Sequence, residues 1–323
     1  MPFAQRIHRS GGPEVLTWEE VTVPEPGAGE VKLRHTAIGV NFIDVYQRTG
    51  LYALPHPFIG GQEGAGVVTA VGPGVTGFKA GDRVAYAGPL GAYAEERLAP
   101  ASKLVKLPDA IPDESAAAMM LKGMTAEYLL RRTYVVQAGD TILIHAAAGG
   151  VGLIACQWAK ALGATVIGTV GSDEKAALAR AHGCHHPIVT KRDDFVKAVK
   201  ELTGGKGVPV VYDSIGKDTF DKSLDCLRPR GLMVLFGQSS GKVPPLDLGV
   251  LAPKGSLYVT RPTLGTYTAS AEDLQLSSKA LFEVVASGAV KINVNQRYAL
   301  KDAQQAHRDL EARKTTGSTI LLP

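Results

Sequence analysis

Cysteine is scarce in this 323-residue chain: Cys156, Cys184 and Cys226 are the only three, odd in number and widely spaced. That excludes a disulfide framework and offers no paired spacing for a metal, so buried free thiols are expected. Long apolar runs are missing too. The longest, residues 61–71 and 141–152, are broken by glycine or polar residues and fall short of the ~20 apolar residues a membrane helix needs. The first ten residues lack the apolar stretch of a secretory signal, so a cytoplasmic protein without a membrane partner is expected. Strong charge of one sign is also lacking. The net charge of +4 is spread along the chain with no lysine–arginine run, which argues against nucleic acid as a main partner and suits weak attraction to an anionic cofactor. What is present is an ordinary globular composition, 45% apolar and 20% charged, at a length that favours two domains. The 37 glycines cluster at turns, which suggests close backbone approaches.

Up to about residue 120 the chain reads as β-rich. Val31-Lys32-Leu33-Arg34 alternates like a half-buried strand, residues 64–71 form a small-residue strand closed by Gly72-Pro73-Gly74, and residues 81–84 turn into another. Recurrent Pro and Gly suggest a compact, barrel-like β domain. From Pro112 onward, strands at 141–145, 165–170, 208–212 and 231–236 alternate with helices at 151–162, 173–181 and 219–227. This α/β alternation predicts a parallel, doubly wound sheet. A helix at 274–287 and a strand at 317–322 are too short a tail for a domain, and are expected to rejoin the first one. The domains are thus set at 1–122 with 264–323, and at 123–263.

The most informative stretch runs from Ile142 to Gly152. A buried strand enters a turn of Ala and Gly, and a helix follows; Ala147, Gly149 and Gly152 occupy the three positions of a dinucleotide fingerprint. A pyrophosphate needs the backbone to come close and free N–H groups at the helix start, here from Ala148, Gly149, Gly150 and Val151. A plain tight turn is the competing reading, and the strand–turn–helix context favours the cofactor. At the tip of the next strand stands Val170-Gly171-Ser172, with no carboxylate for an NAD ribose. Ser172 and Lys175 supply a hydroxyl and a cation for a ribose phosphate, and Lys191 and Arg192 could add more. NADPH is therefore preferred; Asp173, if it bound a ribose hydroxyl, would favour NAD instead.

Taken with Gly11-Gly12-Pro13-Glu14-Val15-Leu16, residues 39–46, Lys122-Gly123-Met124-Thr125, Val211-Tyr212-Asp213-Ser214 and residues 236–241, the chain resembles the quinone reductase and zeta-crystallin branch of the medium-chain dehydrogenase/reductases. Within that branch it is most similar to the bacterial NADPH:quinone reductases. The resemblance implies a GroES-like β-rich catalytic domain, a Rossmann domain, a cleft between them and a homodimer joined at Rossmann sheet edges. Zinc-dependent relatives carry Cys where this chain has Asn41, His where it has Gln62, and a four-cysteine lobe that is missing here, so no metal site is expected.

By the same resemblance Asn41, Tyr46 and Tyr52 would line the nicotinamide and quinone site as catalytic residues, able to donate to a developing oxyanion. Packing is the alternative for each Tyr. Phe42 and Asp44 belong to the same segment, with Asp44 expected to give a supporting hydrogen bond. Thr125, Tyr128, Ser214, Phe236, Gly237, Gln238, Ser239, Arg261 and Thr263 would contact the cofactor, and Arg313 could reach a phosphate. The family often has Tyr where this chain has Thr190, so adenine stacking would be lost there. His145 is expected to pack toward the cofactor or bond backbone; His182, His185 and His186 are read as surface residues. The implied function is NADPH:quinone reduction. Reduction of α,β-unsaturated ketones or aldehydes is the enzymatic alternative, and RNA binding or a structural crystallin role the non-enzymatic one.

Overall fold

Residues 30–40 bury Val31, Leu33 and His35 on one face while Lys32 and Arg34 point out, and from Ala37 to Val40 every side chain is buried. That is a strand solvated along one face at its start and covered on both at its end. The computed structural model describes residues 1–323. In chain order β1 (Phe3–Ile7), β2 (Leu16–Glu20), β3 (Glu30–Val40), α1 (Phe42–Arg48), β4 (Phe58–Ile59), β5 (Glu63–Val71), β6 (Arg83–Ala87), β7 (Glu96–Pro100) and β8 (Val105–Lys106) lead into α2 (Asp113–Tyr128). There follow β9 (Thr141–Ile144), α3 (Gly150–Ala161), β10 (Thr165–Val170), α4 (Asp173–Ala181), β11 (His186–Val189), α5 (Phe195–Leu202), β12 (Val208–Asp213), α6 (Phe220–Asp225), β13 (Leu227–Leu235), β14 (Tyr258–Thr260) and α7 (Leu264–Tyr267). The chain closes with α8 (Ala271–Ala286), β15 (Val294–Ala299), α9 (Ala303–Glu311) and β16 (Ser318–Leu322).

Two compact units result. The first comprises residues 1–124, 268–286 and 292–323, and the second residues 125–267 and 287–291. In the first, a seven-stranded sheet runs β15-β16-β3-β5-β6-β8, with β7 also paired to β3, beside a three-stranded sheet β2-β1-β4. The C-terminal strand β16 pairs antiparallel with β3, setting Leu321 opposite Ile38. Ile7, Leu33, Ile38, Val68, Leu300 and Leu321 are buried in one core, each such side chain adding about 1.5–3 kcal/mol by leaving water.

The second unit is a six-stranded sheet ordered β11-β10-β9-β12-β13-β14, parallel throughout. Read in chain order this is 3-2-1-4-5-6, the doubly wound arrangement. Every residue of β12 is buried, as expected of a strand flanked on both edges and both faces. Local chemistry starts the helices: Ser172 accepts from Lys175 N at the head of α4, and Asp194 accepts from Val196 N and Lys197 N at the head of α5. The elements β11 and β14 are not legible as separate units in the sequence, whereas α5 carries an Asp cap and a helical apolar period that the sequence reading passes over. Pro187 breaks the strand pattern of β11, and β14 has three residues, two of them exposed. No helix is long and apolar enough to cross a membrane.

Candidate active site

The strand order of the second unit reverses between β9 and β12, and ligands of such sheets bind at the carboxyl ends of the strands there. Beyond β9 the chain turns sharply: Ala146 takes φ 53, rare for a residue with a side chain. Gly149 is the N-cap of α3, and no side chain caps the helix, so its first N–H groups remain for a ligand. A Cβ on Gly152 would run into the Ala146 carbonyl and the Ala147 backbone. Glycine is required there for the helix to lie this close to the turn. Ala148, Gly150 and Val151 thus keep backbone N–H groups that suit a pyrophosphate, while the Gly149 N–H is already donated to Ala146 O at 2.9 Å.

At the tip of β10, Ser172 Oγ accepts from Lys175 N at 3.3 Å, and a Cβ on Gly171 would meet nothing within 4 Å. Open space beside a hydroxyl and a cation suits a ribose phosphate. Of the two further cations expected here, Lys191 and Arg192, the second reaches Asp173 and Asp193, each at 3.2 Å. Thr190 is exposed, and its hydroxyl donates to Val170 O at 3.2 Å. The expected surplus of positive charge is therefore offset by acids at the start of α4 and beyond β11.

Ser214 follows β12, on a loop organised by Asp213. Fully buried, Asp213 accepts from Ile215 N, Gly216 N, and the hydroxyls of Thr219 and Ser223. Phe236 N donates to Asp213 O and Ser239 N to Ser214 O, which lays the segment Phe236, Gly237, Gln238, Ser239 alongside Ser214. A Cβ on Gly237 would stand 2.8 Å from Ser214 O, so this approach also needs glycine. Arg261 donates to Leu235 O at 3.2 Å, and the Thr263 and Thr266 hydroxyls share a 3.0 Å bond. Thr125 and Tyr128 are buried; Tyr128 stacks on Tyr267 with centroids 4.4 Å apart, and burial raises its hydroxyl above the usual range.

His145 corrects one part of the sequence reading, the bond to backbone. Its bonds go neither to backbone nor to open space: Nδ1 meets Thr169 Oγ1 at 2.8 Å and Nε2 meets Ser223 Oγ at 2.9 Å. Burial pushes its pKa down, and the neutral ring ties β9 to β10 and α6 through side-chain hydroxyls that the sequence spacing does not reveal.

In the first unit the residues expected on the substrate side cluster around the start of α1. Asn41 precedes the helix, and its own N–H donates to Asp44 Oδ2 at 2.8 Å. Asn41 Nδ2 donates to Glu63 Oε2 at 2.8 Å. Tyr46 meets Tyr52 edge-on at 5.3 Å and Phe42 at 6.1 Å, giving an aromatic wall one turn along α1. Asp44 is a deeply buried acid whose Oδ1 has no partner, and burial lifts its pKa to about 7. Behind it runs a directed chain: Arg48 Nη1 donates to His307 Nδ1 (3.1 Å), which leaves Nε2–H for the Tyr93 hydroxyl (3.0 Å), which donates to Asp44 Oδ2 (2.8 Å). Burial first, then Arg48, lowers His307 to about 3.

Glu63, Tyr93, Lys122 and His307 were given no role by the sequence reading. A signal exists for two of them: Glu63 opens a strand of small apolar residues, and Lys122 is the lone cation in the apolar run 116–124. Arg313 follows α9, exposed and in a left-handed turn (φ 57). Cys156, Cys184 and Cys226 are buried free thiols, and no three His, Cys, Asp or Glu side chains come together.

Comparison with known proteins gives two family matches: the alcohol dehydrogenase GroES-like domain over residues 27–109 and zinc-binding dehydrogenase over residues 150–279. A quinone oxidoreductase of Pseudomonas aeruginosa is 58% identical over 99% of this chain and 100% of its own length. A 2-haloacrylate reductase of Burkholderia is 51% identical over 100% of this chain and 99% of its own. Among solved structures, Escherichia coli quinone oxidoreductase complexed with NADPH superposes with a TM-score of 0.98 at 53% identity, covering 99% of this chain and 100% of that one.

Proposed function

The chain belongs to the quinone oxidoreductase family, and from that premise we propose that it reduces quinones with NADPH. The observation that carries this reading is full-length similarity, at more than half identity, to an enzyme crystallised with that cofactor. The second unit fits NADPH by its own chemistry: an uncapped helix end behind a turn where a Cβ cannot be placed, and a serine and lysine at the neighbouring strand tip. Ala148 to Val151 would hold the pyrophosphate, Gly171, Ser172 and Lys175 the ribose phosphate end, and Thr125, Tyr128, Ser214, Phe236 to Ser239, Arg261 and Thr263 the nicotinamide half. Thr190, Arg192 and Arg313 would play lesser parts. NADPH supplies the hydride when bound. The protein's task is then to orient the quinone and exclude water.

From the first unit, Tyr46 and Tyr52 would flank the quinone ring and Asn41 would face its oxygen. Phe42 would add to the same wall, and Asp44 would hold Asn41 in place through its N–H. The first unit is the catalytic domain in this reading and the second the cofactor domain. Zinc takes no part, since Asn41 and Gln62 offer amides where zinc prefers thiolate and imidazole. A homodimer is supported by β14, a sheet-end strand that leaves Tyr258 61% exposed, near Leu248 in sequence at 72%. A cytoplasmic location suits NADPH chemistry and three reduced thiols.

The test is NADPH oxidation with 1,4-benzoquinone, run beside NADH and with and without a chelator. Fast, chelator-insensitive turnover that prefers NADPH is expected. NADPH binding without quinone turnover would move the substrate to activated alkenes, the class suggested by similarity to a 2-haloacrylate reductase.

A further inference from the structure

Lys122 plays no part in the function described so far, yet its surroundings are unusual. The side chain is 7% exposed and lies in an apolar stretch of α2. A buried ammonium carries three donors, and each one left without an acceptor is costly. Lys122 Nζ has a single protein partner, Glu63 Oε2 at 3.0 Å. That same oxygen accepts Asn41 Nδ2 at 2.8 Å, while Glu63 Oε1 accepts Leu121 N at 2.8 Å. Glu63 is thus filled by three donors. The nitrogens of Lys122 and Asn41 lie within about 6 Å of each other, the two bonds laid end to end. Asp44 is the other ionisable group that feels both Lys122 and Glu63, and Tyr93 caps it from behind. An ion pair kept only for stability gains little from this arrangement, because an apolar pair of the same volume serves as well or better. What the arrangement does provide is a desolvated cation with two donors in hand, next to the amide of Asn41.

We propose that Lys122 is a catalytic residue: with Asn41 it receives the substrate oxygen that becomes negative and gives that oxygen its proton. The proposal rests on the quinone reading above. A quinone that accepts a hydride gains one hydrogen and two electrons and stands as a hydroquinone monoanion. Transfer of one proton from the Lys122 ammonium breaks an N–H bond, forms an O–H bond and yields neutral hydroquinone and a neutral amine. The amine takes its proton back from water after product leaves. Glu63 keeps the ammonium in place and sets Asn41 as the second donor.

The experiment compares wild type with Lys122→Met and Lys122→Arg in two readouts. In NADPH-dependent benzoquinone reduction, Lys122→Met should lower kcat on the order of 100-fold with NADPH affinity unchanged, which also confirms folding, and Lys122→Arg should keep part of the rate. In the absence of turnover, 4-nitrophenol bound to the NADP⁺-loaded protein is titrated by its phenolate absorbance. Its ionisation should fall at lower pH in wild type and Lys122→Arg than in Lys122→Met, by about one unit or more. Equal kcat for wild type and Lys122→Met, equal ionisation, or no bound phenolate at all overturns the proposal. A wild type that shifts nitrophenol but reduces no quinone overturns the quinone reading and leaves the oxyanion site standing.

Discussion

The two units hold their polar groups in opposite ways. In the second, the expected ligand contacts are largely backbone: a turn of Ala and Gly, an uncapped helix start, and loops pressed together at Gly237. A buried polar node there, Asp213 with Ser223, Thr219 and His145, bonds the protein to itself. In the first unit, side chains carry the site. Asn41, Glu63 and Lys122 form one buried cluster, and Asp44, Tyr93, His307 and Arg48 form a second, closed at the surface by Glu311. Backbone donors recognise a phosphate whatever the surrounding side chains, provided nothing fills the cradle. Buried side-chain charges make a site that depends on every partner being present. The second unit should therefore fail through steric filling, and the first through loss of single charges.

That contrast can be broken most directly at Gly152. Gly152→Val should weaken NADPH binding on the order of 100-fold, about 3 kcal/mol, measured by fluorescence titration, with far-UV circular dichroism retained. An unchanged Kd would mean that the backbone cradle does not hold the cofactor. Next in size is Glu311→Leu, which leaves the buried Arg48 guanidinium without its bidentate carboxylate. A loss of about 3 kcal/mol in urea unfolding is expected, and a loss within experimental error would show the side-chain network to be dispensable.

The pH dependence sharpens the comparison further. His307 and His35, both in the first unit, are lowered by burial to about 3 from an ordinary 6.5. Their contribution is fully present above pH 6.5 and is lost as pH falls toward 3, because the unfolded chain takes up protons that the folded one refuses. His307→Gln should flatten the acid limb of the stability curve. Asp44 acts in the opposite sense. With its pKa raised to about 7, its contribution is present below pH 4 and lost as pH rises through 7, so Asp44→Asn should stabilise the protein at pH 8 relative to wild type and not at pH 4. Identical curves would remove the claim that Asp44 is buried as an acid. The smallest effect belongs to the second unit: Ser172→Ala removes the α4 cap, costing about 1 kcal/mol and lowering Tm by a few degrees. A larger fall in NADPH affinity than in NADH affinity would tie the same hydroxyl to the ribose phosphate.

The two halves also differed in how far they could be read in advance. The cofactor turn was visible because its requirement is local: small residues at fixed offsets between a strand and a helix, all within residues 142–159. Strands such as β10 and helices such as α4 announced themselves by period and cap, and α4 begins and ends where its pattern does. The short, exposed β14 had no such pattern, and β11 was obscured by Pro187. Around Asn41 the position of the segment was legible but its wiring was not. Asn41, Glu63 and Lys122 lie on three elements, and Asp44, Tyr93 and His307 span more than 260 residues of chain. No spacing rule connects residues that meet only because β3, β5, α1 and the C-terminal helix α9 belong to one unit. Lone charges in apolar runs hinted that Glu63 and Lys122 had partners, without saying which.

Sequence alone determined the class of fold, the dinucleotide turn, the absence of thiolate and imidazole at the positions where zinc-dependent relatives place them, and the family resemblance, because each depends on residue identity and local period. Tertiary structure alone decided that His145 bonds two hydroxyls, that Arg192 is held by Asp173 and Asp193, that Asp44 is an acid lifted by burial, and that Lys122 and Asn41 share one carboxylate oxygen. Those outcomes depend on desolvation and on which distant groups arrive within hydrogen-bond reach, and neither quantity exists until the chain has folded.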